Sequence, residues 1–197
     1  MAGIALGALV AVVLMRVGRS TGDGAPTAEP AGAPVAPMMG GGGGMPPDIS
    51  QMSPEERATR LYNRVMALHA AGKPDSADFF LPMALQAYAM LPNLNVDARY
   101  HVGVLELTGG DAAAALAQAD SIRQVAATHL FGFMLRARAL EAKKDSRGAL
   151  QAYRDFLKHE AGERARKLPE YDEHAKNLDA FHREAVDATG APAGPGT

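Results

Sequence analysis

Apolar positions along this chain fall into two regimes. From Ala2 to Met15 every residue is apolar or glycine, and Arg16 and Arg19 close the run. From residue 53 onward apolar residues recur at three- and four-residue spacing between short polar or glycine-containing stops, the periodicity of amphipathic helices. Ser53-Pro54-Glu55-Glu56 supplies an N-cap, a proline at the first helical position and two acids in the first turn, so a helix starts there. Leu61, Val65 and Leu68 keep one face apolar up to the stop at Gly72-Lys73-Pro74. A second helix is expected from about Asp75 to Leu91, bent at Pro82, where a backbone hydrogen bond is lost. The pattern resumes over Val96 to Leu107, Asp111 to Val125, Thr128 to Ala142 and Ser146 to about Lys167. After Leu168-Pro169 one more helix is expected, with Tyr171, Ala175, Leu178, Phe181 and Ala185 on one face and charges on the other.

Part of this pattern repeats. Gly110-Asp111 followed by Ala115-Leu116 returns thirty-four residues later as Lys144-Asp145 followed by Ala149-Leu150. In both copies a turn-forming pair ends one helix, and a small residue beside Leu sits one turn inside the next. A looser copy precedes them, where Gly72-Lys73-Pro74-Asp75 leads into Ala77, thirty-eight residues before Ala115. The predicted fold is all-α: a short α-solenoid of about three helical hairpins, with a C-terminal helix capping the exposed end of the stack and an N-terminal hydrophobic helix ahead of it. The chain divides into residues 1–17, a membrane anchor or signal-like segment; 18–52, a linker; 53–189, the repeat domain; and 190–197, a polar tail.

The linker is read from composition. Fifteen of the thirty-five residues from Gly18 to Met52 are Gly or Pro, and only Arg19, Asp23, Glu29 and Asp48 are charged, so this stretch cannot bury enough surface to fold. As a flexible coil it would span roughly 30 to 35 Å. The run Gly40 to Gly44 lacks a following Lys-Ser or Lys-Thr and reads as a hinge, not a phosphate-binding loop.

The first segment leaves three readings open, an uncleaved anchor, a cleaved signal and a soluble segment. Fourteen apolar residues cover about 21 Å as a helix, short of a hydrocarbon core of roughly 30 Å unless Val17 and Gly18 join and Arg16 snorkels. A cleaved signal would explain the shortness, yet no Lys or Arg precedes the run. A start further upstream would supply both the length and the positive flank. An uncleaved anchor in a single-pass protein is the favoured reading. The long uncharged tether favours a domain outside the cytoplasm, whereas Arg16 and Arg19 favour the cytoplasmic side.

Charge and chemistry narrow the function classes. Twenty Lys and Arg against twenty-two Asp and Glu leave a formal net charge of -2, with no basic excess for nucleic acid. Without cysteine, disulfides, thiolate metal sites and thiol nucleophiles are excluded. Without Trp and rich in Ala, the core is built from small contacts, each burying little area at roughly 25 cal/mol per Å². The histidines, at 69, 101, 129, 159, 174 and 182, offer no His pair at i,i+4, so most of them read as solvated or interfacial and no metal site is expected. Glu160, Glu163, Glu170, Asp172 and Glu173 interleave with Arg164, Arg166, Lys167 and Lys176 as a charged helical face. No Ser sits in an elbow motif, so no enzyme, cofactor or small-molecule substrate is expected.

Val102-Gly103, Gly110-Asp111, Ala115-Leu116 and Ala119 in the second hairpin, and Ala137, Asp145, Ala149-Leu150 and Tyr153 in the third, resemble the tetratricopeptide repeat. The first unit resembles it through Leu61, Gly72, Ala77, Ala84-Leu85 and Pro92. The resemblance implies that the first helix of each hairpin lines a concave groove. Tyr62, Tyr100 and Met134 take equivalent places, joined by Met66 and His69, by Val104 and Leu107, and by Phe131 and Arg138, with Thr59, Asp97 and Glu141 completing the lining. It implies a protein or peptide ligand held in that groove. Membrane-tethered bacterial members of this kind imply an inner-membrane protein whose repeat domain is periplasmic, in envelope assembly or quality control. The rival reading is a structural subunit whose groove is permanently filled by its own tail or by a neighbouring protomer.

Overall fold

The computed structural model describes residues 52–191. The expected anchor at 1–17, most of the linker and most of the tail lie outside the described residues. Within them the chain forms eight helices and no strand, which establishes an all-α fold. The helices are α1 (Pro54–Ala70), α2 (Pro74–Ala89), α3 (Val96–Thr108), α4 (Ala112–Val125), α5 (Leu130–Ala142), α6 (Ser146–Arg164), α7 (Pro169–Glu173) and α8 (Ala175–Thr189). None is long and apolar enough to cross a membrane.

The sequence cues act locally. Ser53 and Glu56 form a capping box at α1: the Ser53 hydroxyl accepts the Glu56 N–H at 3.1 Å, and the Glu56 carboxylate accepts the Ser53 N–H at 2.7 Å. The turns closing α1, α3 and α5 are alike. Each passes through a left-handed residue, Gly72, Gly110 or Lys144, and the next N–H reaches back five residues, Lys73 to Leu68 (3.0 Å), Asp111 to Glu106 (2.8 Å) and Asp145 to Leu140 (2.8 Å). This is the Schellman closure. Each turn folds the chain back, and α1 packs on α2, α3 on α4 and α5 on α6. The first turn follows the same rule although its spacing differs.

The helix begun at Pro74 runs through Pro82 as one helix, as expected, and two boundaries depart from expectation. The helix expected to reach Lys167 ends at Arg164, and Lys167 itself adopts φ 52°. The single helix expected after Pro169 is two, α7 and α8, parted at His174 with φ -104° and ψ 18°. The apolar face still holds, because Tyr171, Leu178, Phe181 and Ala185 are all buried.

Two apolar clusters form the core. The first joins α1 and α2 to α3 through Tyr62, Val65, Ala84, Tyr88 and Leu105. The second joins α3, α5, α6 and the terminal helices through Tyr100, Phe131, Phe156, Tyr171, Leu178 and Phe181. Helix α3 serves both, with Tyr100 on one side and Leu105 on the other.

Candidate functional site

The residues expected to line a groove occupy different environments. Tyr100, Phe131 and Met134 are buried in the second core cluster, Val104 and Leu107 are partly buried against it, and Tyr62 is buried in the first. Met66 is partly buried and takes a weak bond from the Thr108 hydroxyl at 4.0 Å, while His69 and Arg138 are exposed. Tyr100 and Phe131 do meet, stacked with ring centroids 4.2 Å apart.

What covers this stack is the chain's own C-terminal segment. Tyr171 of α7 meets the Phe131 ring edge-on at 5.6 Å, and His174 meets Tyr100 and Phe131 edge-on, each at 5.2 Å. Further along, Glu184 of α8 binds the Arg138 guanidinium through both oxygens and accepts the Tyr153 hydroxyl at 2.9 Å. Arg138 also lies over the Phe181 ring. Glu141 accepts the same Tyr153 hydroxyl at 2.7 Å.

Hydrogen bonds fix α7 in place. The Tyr171 hydroxyl accepts the N–H of Leu130, capping α5 at 3.0 Å, and donates to Glu163 at 2.8 Å. The Glu163 carboxylate also takes the Thr128 hydroxyl at 2.7 Å and the Arg166 guanidinium at 2.9 Å. Glu160 and Glu163 are therefore buried rather than part of a solvated face, and each has partners that compensate for its lost hydration. Burial opposes ionisation of Glu163, but the hydrogen bonds from Thr128, Tyr171 and Arg166 outweigh it and hold the carboxyl below its usual range.

The break at His174 brings three polar side chains together. Asp97 and His101 stand one turn apart on α3, and His174 arrives from the opposite end of the chain. His174 Nε2 lies 3.0 Å from Asp97 Oδ1 and 3.1 Å from His101 Nε2, and His101 Nε2 is 3.7 Å from Asp97 Oδ1. His101 stacks on Tyr62 at 4.0 Å, and its Nδ1 pairs with the Tyr88 hydroxyl at 2.8 Å. Burial pushes His101 down to about 4, so it is neutral near pH 7. For Asp97 burial acts in the opposite sense, yet the hydrogen bond from His174 and the nearby imidazoles keep the carboxyl below its usual range. Burial pushes the Tyr88 hydroxyl up to about 12.

Most of the histidines are expected to be solvated or interfacial; His101 and His129 are the two that are buried, 4% and 2% exposed. The cluster contains no His pair at i,i+4. Its signal was Asp97-x-x-x-His101, a carboxylate and an imidazole on one helical face. Asp97, counted as groove lining, belongs to this cluster. His174 had no local signal, because seventy-three residues separate it from His101.

The Tyr100–Phe131 stack is thus covered by the chain's own terminal helices, and the Asp97–His101–His174 cluster lies beside it. No protein-family model matches the chain, and a search of curated proteins finds no match.

Proposed function

We propose that residues 53–189 are a short tetratricopeptide-like scaffold whose groove is occupied by its own terminal helices, α7 and α8. The role is structural, in a membrane-associated bacterial assembly, and not catalytic. The observation that carries this reading is the cover on the Tyr100–Phe131 stack, supplied by Tyr171 and His174. A floor built from stacked aromatics favours an apolar occupant, and here the occupant is covalently attached, so its effective concentration is high. Hydrogen bonds that the α7–α8 segment accepts from α5 and α6 oppose its release. The tether reading rests on the apolar run Ala2 to Met15, which supports attachment to the inner membrane, and on the long uncharged linker, which favours the periplasmic side for the domain.

A labelled peptide of residues 169–191 distinguishes a filled groove from an open one. It should bind a chain ended at residue 168 and restore its stability, and it should be excluded from the full chain. Equal binding to both chains would show that the groove is open. The reading as a binder of external peptides, with Tyr62, Tyr100 and Phe131 as anchors, would then take its place.

A further inference from the structure

We infer that Asp97, His101 and His174 form a binding site for a divalent first-row transition ion of the zinc class. The site stands whether or not the groove takes an external partner.

The ligand chemistry is suitable. Two imidazole nitrogens and one carboxylate oxygen are a donor set that zinc takes in three-ligand sites. Bonds of about 2.0 to 2.1 Å to a tetrahedral ion place ligand atoms about 3.3 Å apart. The three separations here, 3.0, 3.1 and 3.7 Å, each fall within about 0.4 Å of that. The three atoms converge, and the two imidazoles are held by packing of their rings. Tyr62 stacks on the His101 ring, and Tyr100 and Phe131 flank His174.

With hydrogen bonding alone, a single proton on His174 Nε2 has to be shared between two acceptors, Asp97 Oδ1 and His101 Nε2. Asp97 only accepts, and each Nε2 carries either one proton or one lone pair. If His174 Nε2–H is aimed at Asp97, it is not aimed at His101, although His101 Nε2 lies only 3.1 Å away. If both nitrogens carry protons, the two N–H groups oppose each other. An ion satisfies three lone pairs together. The second shell suits it as well: with the Tyr88 hydroxyl accepting from His101 Nδ1–H, the Nε2 lone pair faces the cluster, the arrangement that orients metal-bound imidazoles.

One side of the cluster is accessible. Asp97 and His101 border a cleft of about 360 Å³ that Glu55, Thr59, Tyr88 and Asn95 also line. Three protein ligands leave a coordination position, and the cleft can supply water to it. An ion here ties α3 to the α7–α8 break across seventy-seven residues, from Asp97 to His174, and so fastens the terminal helices onto the groove. Binding to the folded chain alone raises its stability with ion concentration.

The test is a titration of the full chain, stripped with a chelator, with Co2+ alone and with Zn2+ alone. One equivalent of Co2+ should bind with the visible absorption of a low-coordinate nitrogen-and-oxygen site, Zn2+ should displace it, and the thermal midpoint should rise. His174→Gln, at a partly exposed residue, and Asp97→Asn, close in shape, should each weaken binding about tenfold or more, and Tyr88→Phe about 10- to 100-fold. His182→Gln, which removes a separate histidine paired with Glu160, should leave binding unchanged. Circular dichroism checks that each variant is folded. The proposal is overturned if the unaltered chain takes up neither ion stoichiometrically, or if folded His174→Gln and Asp97→Asn variants bind as tightly as the unaltered chain. Loss of the site in His182→Gln alone would also overturn it.

Discussion

Asp111 and Asp145 cap α4 and α6 with the same backbone, φ -88° and ψ 78° in one and φ -88° and ψ 77° in the other. Thirty-four residues separate them. Each follows a left-handed residue, Gly110 or Lys144, so the turn before it and the helix after it are built the same way twice. The repeat is therefore conformational as well as compositional, and its unit is the turn with its cap.

Those caps carry measurable stability. Asp111 Oδ1 accepts the N–H groups of Ala113 at 3.1 Å and Ala114 at 2.9 Å, whereas Asp145 accepts that of Gly148 at 2.9 Å. Replacing either with Ala should cost about 0.5 to 2 kcal/mol, with Asp111→Ala toward the upper end because two donors lose their partner. Urea unfolding followed by helicity measures both. Unchanged midpoints would mean that water satisfies these donors as well as the carboxylates do.

The small residues inside the same helices set how closely the helices approach. Ala115 is 0% and Ala149 3% exposed, each one turn past its cap. Ala115→Leu and Ala149→Leu should each destabilise the fold by about 1 to 3 kcal/mol through overpacking. Ala113→Leu, on the exposed face of α4, should have no comparable effect. If all three substitutions behave alike in thermal melts, the close approach of α4 and α6 to their neighbours does not depend on alanine.

How far the chain could be read from its sequence follows the range of the forces involved. The capping box at Ser53 and the turns at Gly72, Gly110 and Lys144 arise between residues at most six apart, and all were legible. Periodicity also located the buried face of the terminal segment. It could not say what that face would cover. Tyr100 and Phe131 follow the spacing of groove positions, but their cover comes from Tyr171 and His174, across intervals of forty to seventy-four residues. The break between α7 and α8 has no Gly or Pro to announce it, and it coincides with the contacts of His174 to Asp97 and His101. Glu163 looked solvated because its run is rich in charge, whereas its burial depends on Thr128 and Tyr171, which arrive from other elements. Asp97 and His101 were readable as a helical pair, and only their third member was hidden.

The Glu163 network should give the fold a defined weakness in acid. Its carboxyl ionises below its usual value in the folded chain, despite burial, because Thr128, Tyr171 and Arg166 donate to it. The unfolded chain therefore takes up this proton at higher pH than the folded one. The stabilisation is fully present above the unfolded value of 4.5 and is lost as pH falls through the lower folded value. His129, which pairs with Glu170 at 3.3 Å and packs on Tyr171, is held below 6.5 mainly by burial. It and His101, which burial pushes down to about 4, contribute an earlier loss as pH falls below about 6.5, in both the unaltered chain and a Glu163 variant. Glu163→Gln should therefore cost about 1 to 3 kcal/mol near neutral pH, where a charged acceptor is removed from three donors. The difference between the two chains should shrink as pH falls below about 4.5, while the loss from the buried histidines persists in both, larger at His129 in the variant because Glu163 no longer raises it. Denaturant unfolding across that range, in chelator-containing buffer, reads both effects. A difference that is constant with pH would show that Glu163 acts through its shape and not its charge.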